Sequence, residues 1–236
     1  MLSQILSGNK DALISILLSL PVILFSLSFH EAAHGYIAYK MGDPTAKNFG
    51  RLTLNPIKHV DPIGALCMLI FGYGWAKPVP INTRNFDNPR KGMAITGLAG
   101  PVSNLILGVL SSVIYVIFNI AYYKLYILEI GENALLVVNI LCNLFYISAF
   151  LNFGLMAFNM ILVVPFDGSR VVYYFLPSKW YFKVMQHERV IMIVVLVLFF
   201  LLSRLGYSPI TFVANGLFNL ITEPLWNIGV KLVFGG

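Results

Sequence analysis

Residues 29–34 run Phe-His-Glu-Ala-Ala-His. On a helix, positions four apart share a face, so His30 and His34 can both reach one metal ion while Glu31 stands beside it as a general base. A second acidic group, Asp167, lies in the run Val164-Pro165-Phe166-Asp167-Gly168 at the end of another apolar tract. Taken alone, an Asp between Pro and Gly is an ordinary helix stop or turn residue. Both acids are embedded in strongly apolar sequence, where one ionised side chain costs about 2.5 to 3.5 kcal/mol even on insertion scales. A divalent cation offsets that cost by neutralising Glu31 and accepting a lone pair from each histidine, whereas a solvated charged face, the ordinary alternative for such a run, needs water that is scarce here.

The elements that must position these groups follow from composition. Of 236 residues, 58% are hydrophobic and 11% charged, with a mean hydropathy of +0.80, against roughly 25% charged residues in soluble domains. Apolar tracts run from about Ala12 to Phe29, Met93 to Ala121, Ala134 to Val164 and Val190 to Leu202, several of them near the length that spans a bilayer. The expected class is an all-α polytopic membrane protein forming a single domain over residues 1–236, with a three-helix core at about 12–170 and one or two extra C-terminal helices at about 186–235. The net charge of +6 comes without a basic run, so membrane orientation accounts for it and nucleic acid is not an expected partner. Cys67 and Cys142 are small core residues, too far apart for a metal knuckle.

Basic residues set the expected topology. Lys40, Lys47, Arg51, Lys58, Lys77, Arg84, Arg90 and Lys91 fall in the first connection, and Arg170, Lys179, Lys183 and Arg189 in the third. Both connections are therefore expected in the cytoplasm, with the N-terminus outside. The apolar piece Ile63 to Phe71, bracketed by Pro and Gly, is too short to span and is expected to dip into the membrane and return. The tail from Pro209 to Phe234 is either a bent span or an interfacial helix. With this topology His30, His34 and Asp167 meet at the cytoplasmic side. Two His and one carboxylate make a catalytic zinc ligand set that leaves a fourth position for water, and one Zn²⁺ per chain is expected, although such donors also take iron or cobalt. His59 and His187, in charged loops, are expected to be solvated.

These motifs resemble those of the site-2 protease family of intramembrane zinc metalloproteases, over roughly Phe25 to Arg170. The resemblance implies a three-helix core with HExxH on the first helix and Asp167 as third ligand on the third. It also implies that Asn159, eight residues earlier, assists the substrate carbonyl or oxyanion. Family motifs usually read close to NxxPxPPLDG; here Leu162 and Val164 replace two prolines, so the helix is free to continue further towards Asp167. The run Ala99-Gly100-Pro101-Val102-Ser103-Asn104 is also similar, with Gly97 and Gly100 suited to close helix approach and Asn104 available either for packing between helices or for substrate. Gly74 and Trp75 lie in a segment, Phe71 to Pro80, similar to the family's membrane-dipping loop, which takes substrate by strand addition; an interfacial aromatic anchor is the other reading.

The activity implied is hydrolysis of peptide bonds in or near transmembrane segments of membrane-protein substrates, with Glu31 moving the proton and Asn159 beside the oxyanion. Substrate helices must unwind locally first, since their carbonyls are otherwise satisfied internally. The rival class is a polytopic metal-binding protein or metal transporter without protease activity. A transporter usually carries polar residues across the full bilayer, whereas here they gather at one depth.

Overall fold

The computed structural model describes residues 10–62, 64 and 76–235. The chain folds into helices α1 (Lys10–Lys40), α2 (Thr45–Asn48), α3 (Pro89–Ile127), α4 (Glu132–Asn159), α5 (Gly168–Phe175), α6 (Ser178–Gln186), α7 (Glu188–Arg204) and α8 (Pro209–Phe234). Among the described residues there is no strand, only an isolated antiparallel bridge between Val60 and Ala76. Among the described residues three helices are long and apolar enough to cross a membrane: α1 from Ile16 to Lys40, α3, and α4. The pair α6 and α7, bent by 66°, adds a fourth crossing if taken as one broken span. This is an all-α polytopic membrane protein.

α1 outruns its apolar tract. Nothing from Phe29 to Lys40 breaks a helix, so the backbone stays helical through the HExxH run and fixes its two histidines one turn apart. It stops where Gly42 adopts φ 104°, letting the Asp43 amide donate back to the Ala38 carbonyl at 2.9 Å and the Gly42 amide to Tyr39 at 3.2 Å, a glycine-terminated helix end. α3 starts with Asn88, whose side chain accepts from the Lys91 amide, followed by Pro89 in the first turn, the usual start signal.

α4 ends earlier than its apolar tract, at Asn159 and not near Val164. The expectation that loss of two prolines would let the helix run on is therefore corrected. Pro165 bars any continuation past this point, having no amide to give Ile161, a ring that clashes with that carbonyl, and a bias against helical backbone at Val164; the earlier stop at Asn159 has no local sequence explanation. The released chain folds back on itself, burying Val164 and Phe166, with Phe166 edge-on to Phe158 at 4.6 Å.

α8 is one continuous helix with Pro224 inside it. It packs along α3 and α4, where Ala214 and Phe218 join Ala149 and Phe153 in a buried cluster, so it belongs to the bundle and is not a detached interfacial helix. Of the expected dip at 63–71, only Gly64 falls within the described residues. Its two arms, however, meet: the Lys77 amide donates to the His59 carbonyl at 2.8 Å beside the Val60–Ala76 bridge.

Candidate metal centre

α1 presents His30 and His34, and the chain just beyond α4 presents Asp167 from 137 residues away. All three are buried. His30 Nε2, His34 Nε2 and Asp167 Oδ2 converge: 3.0 Å separates the two nitrogens, 3.1 Å His30 from the carboxylate and 3.0 Å His34 from it. Asp167 occupies the position that caps α5, yet makes no capping hydrogen bond. Its carboxylate is committed to the histidines, which removes the helix-stop reading of this residue.

The far side of each ring decides what the near side can do. His34 Nδ1 lies 2.7 Å from the Thr96 carbonyl, which can only accept, so Nδ1 carries the hydrogen. For His30 the argument passes through two amides. Asn152 Nδ2 donates to the Ser148 carbonyl at 2.8 Å and to Ser26 Oγ at 2.9 Å. Its Oδ1 is thereby turned to accept from Asn104 Nδ2 at 2.8 Å, leaving Asn104 Oδ1 to accept from His30 Nδ1 at 2.5 Å. Both neutral imidazoles then have a bare Nε2. Three lone-pair-bearing atoms face one another at hydrogen-bonding distance with no hydrogen of their own to share, an arrangement that one cation satisfies at a stroke.

The spacing suits zinc. Tetrahedral coordination with bonds of about 2.0 to 2.1 Å places neighbouring donor atoms about 3.3 Å apart, close to the separations here, and the three groups form a set able to hold a metal ion. The helix facing them leaves the room: a methyl group on Gly100 would collide with both imidazoles, and one on Gly97 would press on the Asp167 carbonyl oxygen at 3.0 Å and the Arg170 side chain at 2.8 Å. The small residues of α3 thus admit the ligands themselves, beyond permitting close helix approach.

Glu31 is half-buried, and its Oε2 accepts from the Val79 amide at 2.8 Å. The segment carrying Val79 is anchored to the same end of α1. Arg51 donates to the carbonyls of Lys77 and Pro78 at 2.6 and 3.3 Å. Asp43 accepts from the Asn82 amide and the Asn85 side chain, both at 2.7 Å. No motif in the sequence signals this second site of order; Arg51 counts there only among the basic residues of the first connection.

The remaining expected residues fall differently. Asn104 is fully buried, with both ends of its amide engaged by His30 and Asn152. Asn159 is half-buried, and its amide turns back to the Leu155 carbonyl at 3.0 Å; among the described residues no hydrogen bond joins it to the ligands. Gly74 and Trp75 lie outside the described residues. His59 is not solvated: it is 1% exposed, with Nε2 bonded to the Thr53 carbonyl at 2.8 Å, and its own carbonyl accepts from the Lys77 amide of the returning arm. His187 is exposed, as expected. Asn152 was missed altogether. Its signal was present, an amide within the apolar tract 134–164, but a search confined to ionisable groups passes over it.

Comparison with known proteins is consistent with this geometry. The chain is 41% identical over 177 residues, 75% of its length and 77% of the relative's, to a Bacillus subtilis (strain 168) protein named "Putative zinc metalloprotease YwhC". It is 34% identical over 92 residues, 37% of its length and 35% of the relative's, to the Mycolicibacterium smegmatis protein named "Putative zinc metalloprotease Rip2". No protein-family profile and no solved structure matches.

Proposed function

The chain belongs to the zinc metalloprotease family of its Bacillus subtilis relative, and from that premise we propose that it is an intramembrane endopeptidase of the site-2 protease type, cutting peptide bonds in or near transmembrane segments of membrane proteins. The observation that carries this reading is the convergence of three bare donor atoms, with Glu31 one residue from a ligand, at the end of a helix apolar enough to cross a membrane. One Zn²⁺ per chain, held by His30, His34 and Asp167, would supply Lewis acidity towards water and the scissile carbonyl.

The chain's own residues do the rest. Glu31 serves as the base that takes a proton from water and returns it to the leaving nitrogen, and the Val79 amide fixes its carboxylate against swinging away. Thr96 and Asn104 hold the imidazoles in the tautomer that keeps Nε2 available. Asn159, at the point where α4 ends, is proposed to meet the substrate once its amide leaves the Leu155 carbonyl. Gly74 and Trp75 are proposed to contact substrate on the same side. The basic residues of the flanking connections support a cytoplasmic position for this end of the bundle.

The test uses the purified full chain in detergent or nanodiscs with a transmembrane peptide carrying helix-weakening residues. Wild type should contain zinc and cleave the peptide. Glu31→Gln should keep the zinc and lose cleavage by several orders of magnitude. Cleavage by Glu31→Gln at the wild-type rate would defeat the reading.

A further inference from the structure

A cavity of about 330 Å³ separates the start of α3 from α5 and α6, lined among others by Arg90, Met93, Arg170, Tyr173, Tyr181 and Phe182. Its charged lining residues are both arginines. At its wall Arg170 Nη1 is buried without a hydrogen-bond partner, and the Tyr173 hydroxyl has only Ser169 of its own helix within reach. Arg170 and Tyr173 stand one turn apart on α5. Buried donors rarely remain unpaired, and Arg170 Nη1 belongs to a guanidinium whose side chain is 30% exposed. Arg170 is only loosely neutralised: its Nη2 lies 3.6 Å from Asp167 Oδ1, beyond hydrogen-bonding distance, and the other oxygen of that carboxylate faces the histidines. Arg90 is held at the cavity by bonds to Ser178 Oγ at 2.6 Å and the Leu176 carbonyl at 3.4 Å.

We propose that this cavity binds the headgroup phosphate of one anionic phospholipid. The proposal uses the membrane placement of the bundle and is independent of the peptidase reading. The cavity's own chemistry selects an oxyanion: two guanidinium groups, one with an unused donor, and a phenol suit phosphate oxygens.

The surroundings select a lipid as its carrier. The cavity lies at the start of α3, a helix long and apolar enough to cross a membrane. One wall is built by α5 and α6, of 8 and 9 residues, too short to cross a bilayer. These helices expose Phe175 at 76%, Trp180 at 55% and Phe182 at 62%. Lys183 lies over the Trp180 ring at 5.5 Å. Exposed aromatics interleaved with lysines are the makeup of a helix lying in the interface of an anionic membrane. Phe182 both lines the cavity and faces outwards, so an acyl chain has an apolar exit while its phosphate stays inside.

The experiment is native mass spectrometry of the full chain released from detergent doped with phosphatidylglycerol or phosphatidylcholine, with inorganic phosphate as competitor. One phosphatidylglycerol per chain should be retained in preference to phosphatidylcholine. Arg90→Gln and Tyr173→Phe should each weaken retention, Arg90→Gln by about tenfold or more, the loss expected for one charge-assisted hydrogen bond. Lys231→Gln, at an exposed position near the end of α8, should change nothing. Gel filtration and zinc content establish that each variant is folded. Glu31→Gln should retain the lipid fully, so failure here is separable from failure of the peptidase assignment. Equal retention of the two lipids, unchanged retention in both variants, or displacement by millimolar inorganic phosphate, which would assign the site to a free anion, would each overturn the proposal.

Discussion

Asn152 sets the imidazole of His30 without touching it. The Ser148 carbonyl fixes which way the Asn152 amide faces, Asn152 fixes Asn104, and Asn104 fixes the hydrogen on His30 Nδ1. The relay spans three helices and is fully buried at its two amides. A buried amide left unpaired would cost roughly 1 to 3 kcal/mol, so the orientation is strongly held.

The first prediction follows from that relay. Asn152→Leu frees Asn104 to turn its NH₂ towards His30, which favours the wrong tautomer at the ligand. Zinc affinity, read by competition with a graded chelator series, should fall about 10- to 100-fold. Asn143→Leu, at an exposed position further up α4, should leave it unchanged. Equal affinity in Asn152→Leu and wild type would remove the relay from the account of the site.

Gly100→Ala places a methyl group against both imidazoles. Overpacking of this kind costs about 1 to 3 kcal/mol, and here the groups pushed aside are the ligands. Zinc content should drop sharply in protein that still elutes as a folded species. Gly216→Ala, whose added methyl meets nothing within 4 Å, is the matched control. Full zinc in Gly100→Ala would show that the ring positions have slack that the packing denies.

Asp167→Ala should lose zinc, because among the described residues no other acid joins the histidines in the ligand set. The cause is charge as well as geometry, since one carboxylate halves the charge of a divalent ion in a low-dielectric setting. His59→Ala should behave oppositely, keeping its zinc while losing stability, because it empties a buried site that bonds the Thr53 carbonyl. Elemental analysis together with thermal melting separates the two outcomes; a zinc loss in His59→Ala matching that in Asp167→Ala would contradict the assignment.

The Asp43 carboxyl, beyond the end of α1, gives a pH prediction. Burial pushes its pKa up, but hydrogen bonds from Thr45, Asn85 and the Asn82 amide outweigh burial and hold it below the ordinary value. A carboxyl with a depressed folded-state pKa contributes stability that is present above the unfolded value of about 3.9 and is lost as pH falls through the folded value. Melting temperature in detergent should therefore decline below about pH 4. Asp43→Asn should melt lower at neutral pH and show a shallower acid decline. A decline of equal steepness in both proteins would place the acid sensitivity elsewhere.

Features that depend on neighbours along the chain are legible from residue order. Spacing of four on a helix puts His30 and His34 on one face wherever the helix goes, and apolar length with few charges commits α1, α3 and α4 to a membrane. Asp167 stood out because an ionised group beside so much apolar sequence needs a partner. Which partner each polar group took depended on packing in three dimensions. Asn104, Asn152 and Asn159 are the same side chain in similar apolar surroundings, yet two of them complete a relay to His30 and the third bonds its own helix. An amide can satisfy itself locally or across an interface, and the rotation and depth of packed helices choose between these. The same holds for Gly100, whose missing side chain matters only because two imidazoles from α1 occupy its place. It holds too for His59, whose loop is charged in sequence but which is buried in space, its carbonyl paired with the Lys77 amide of the returning arm.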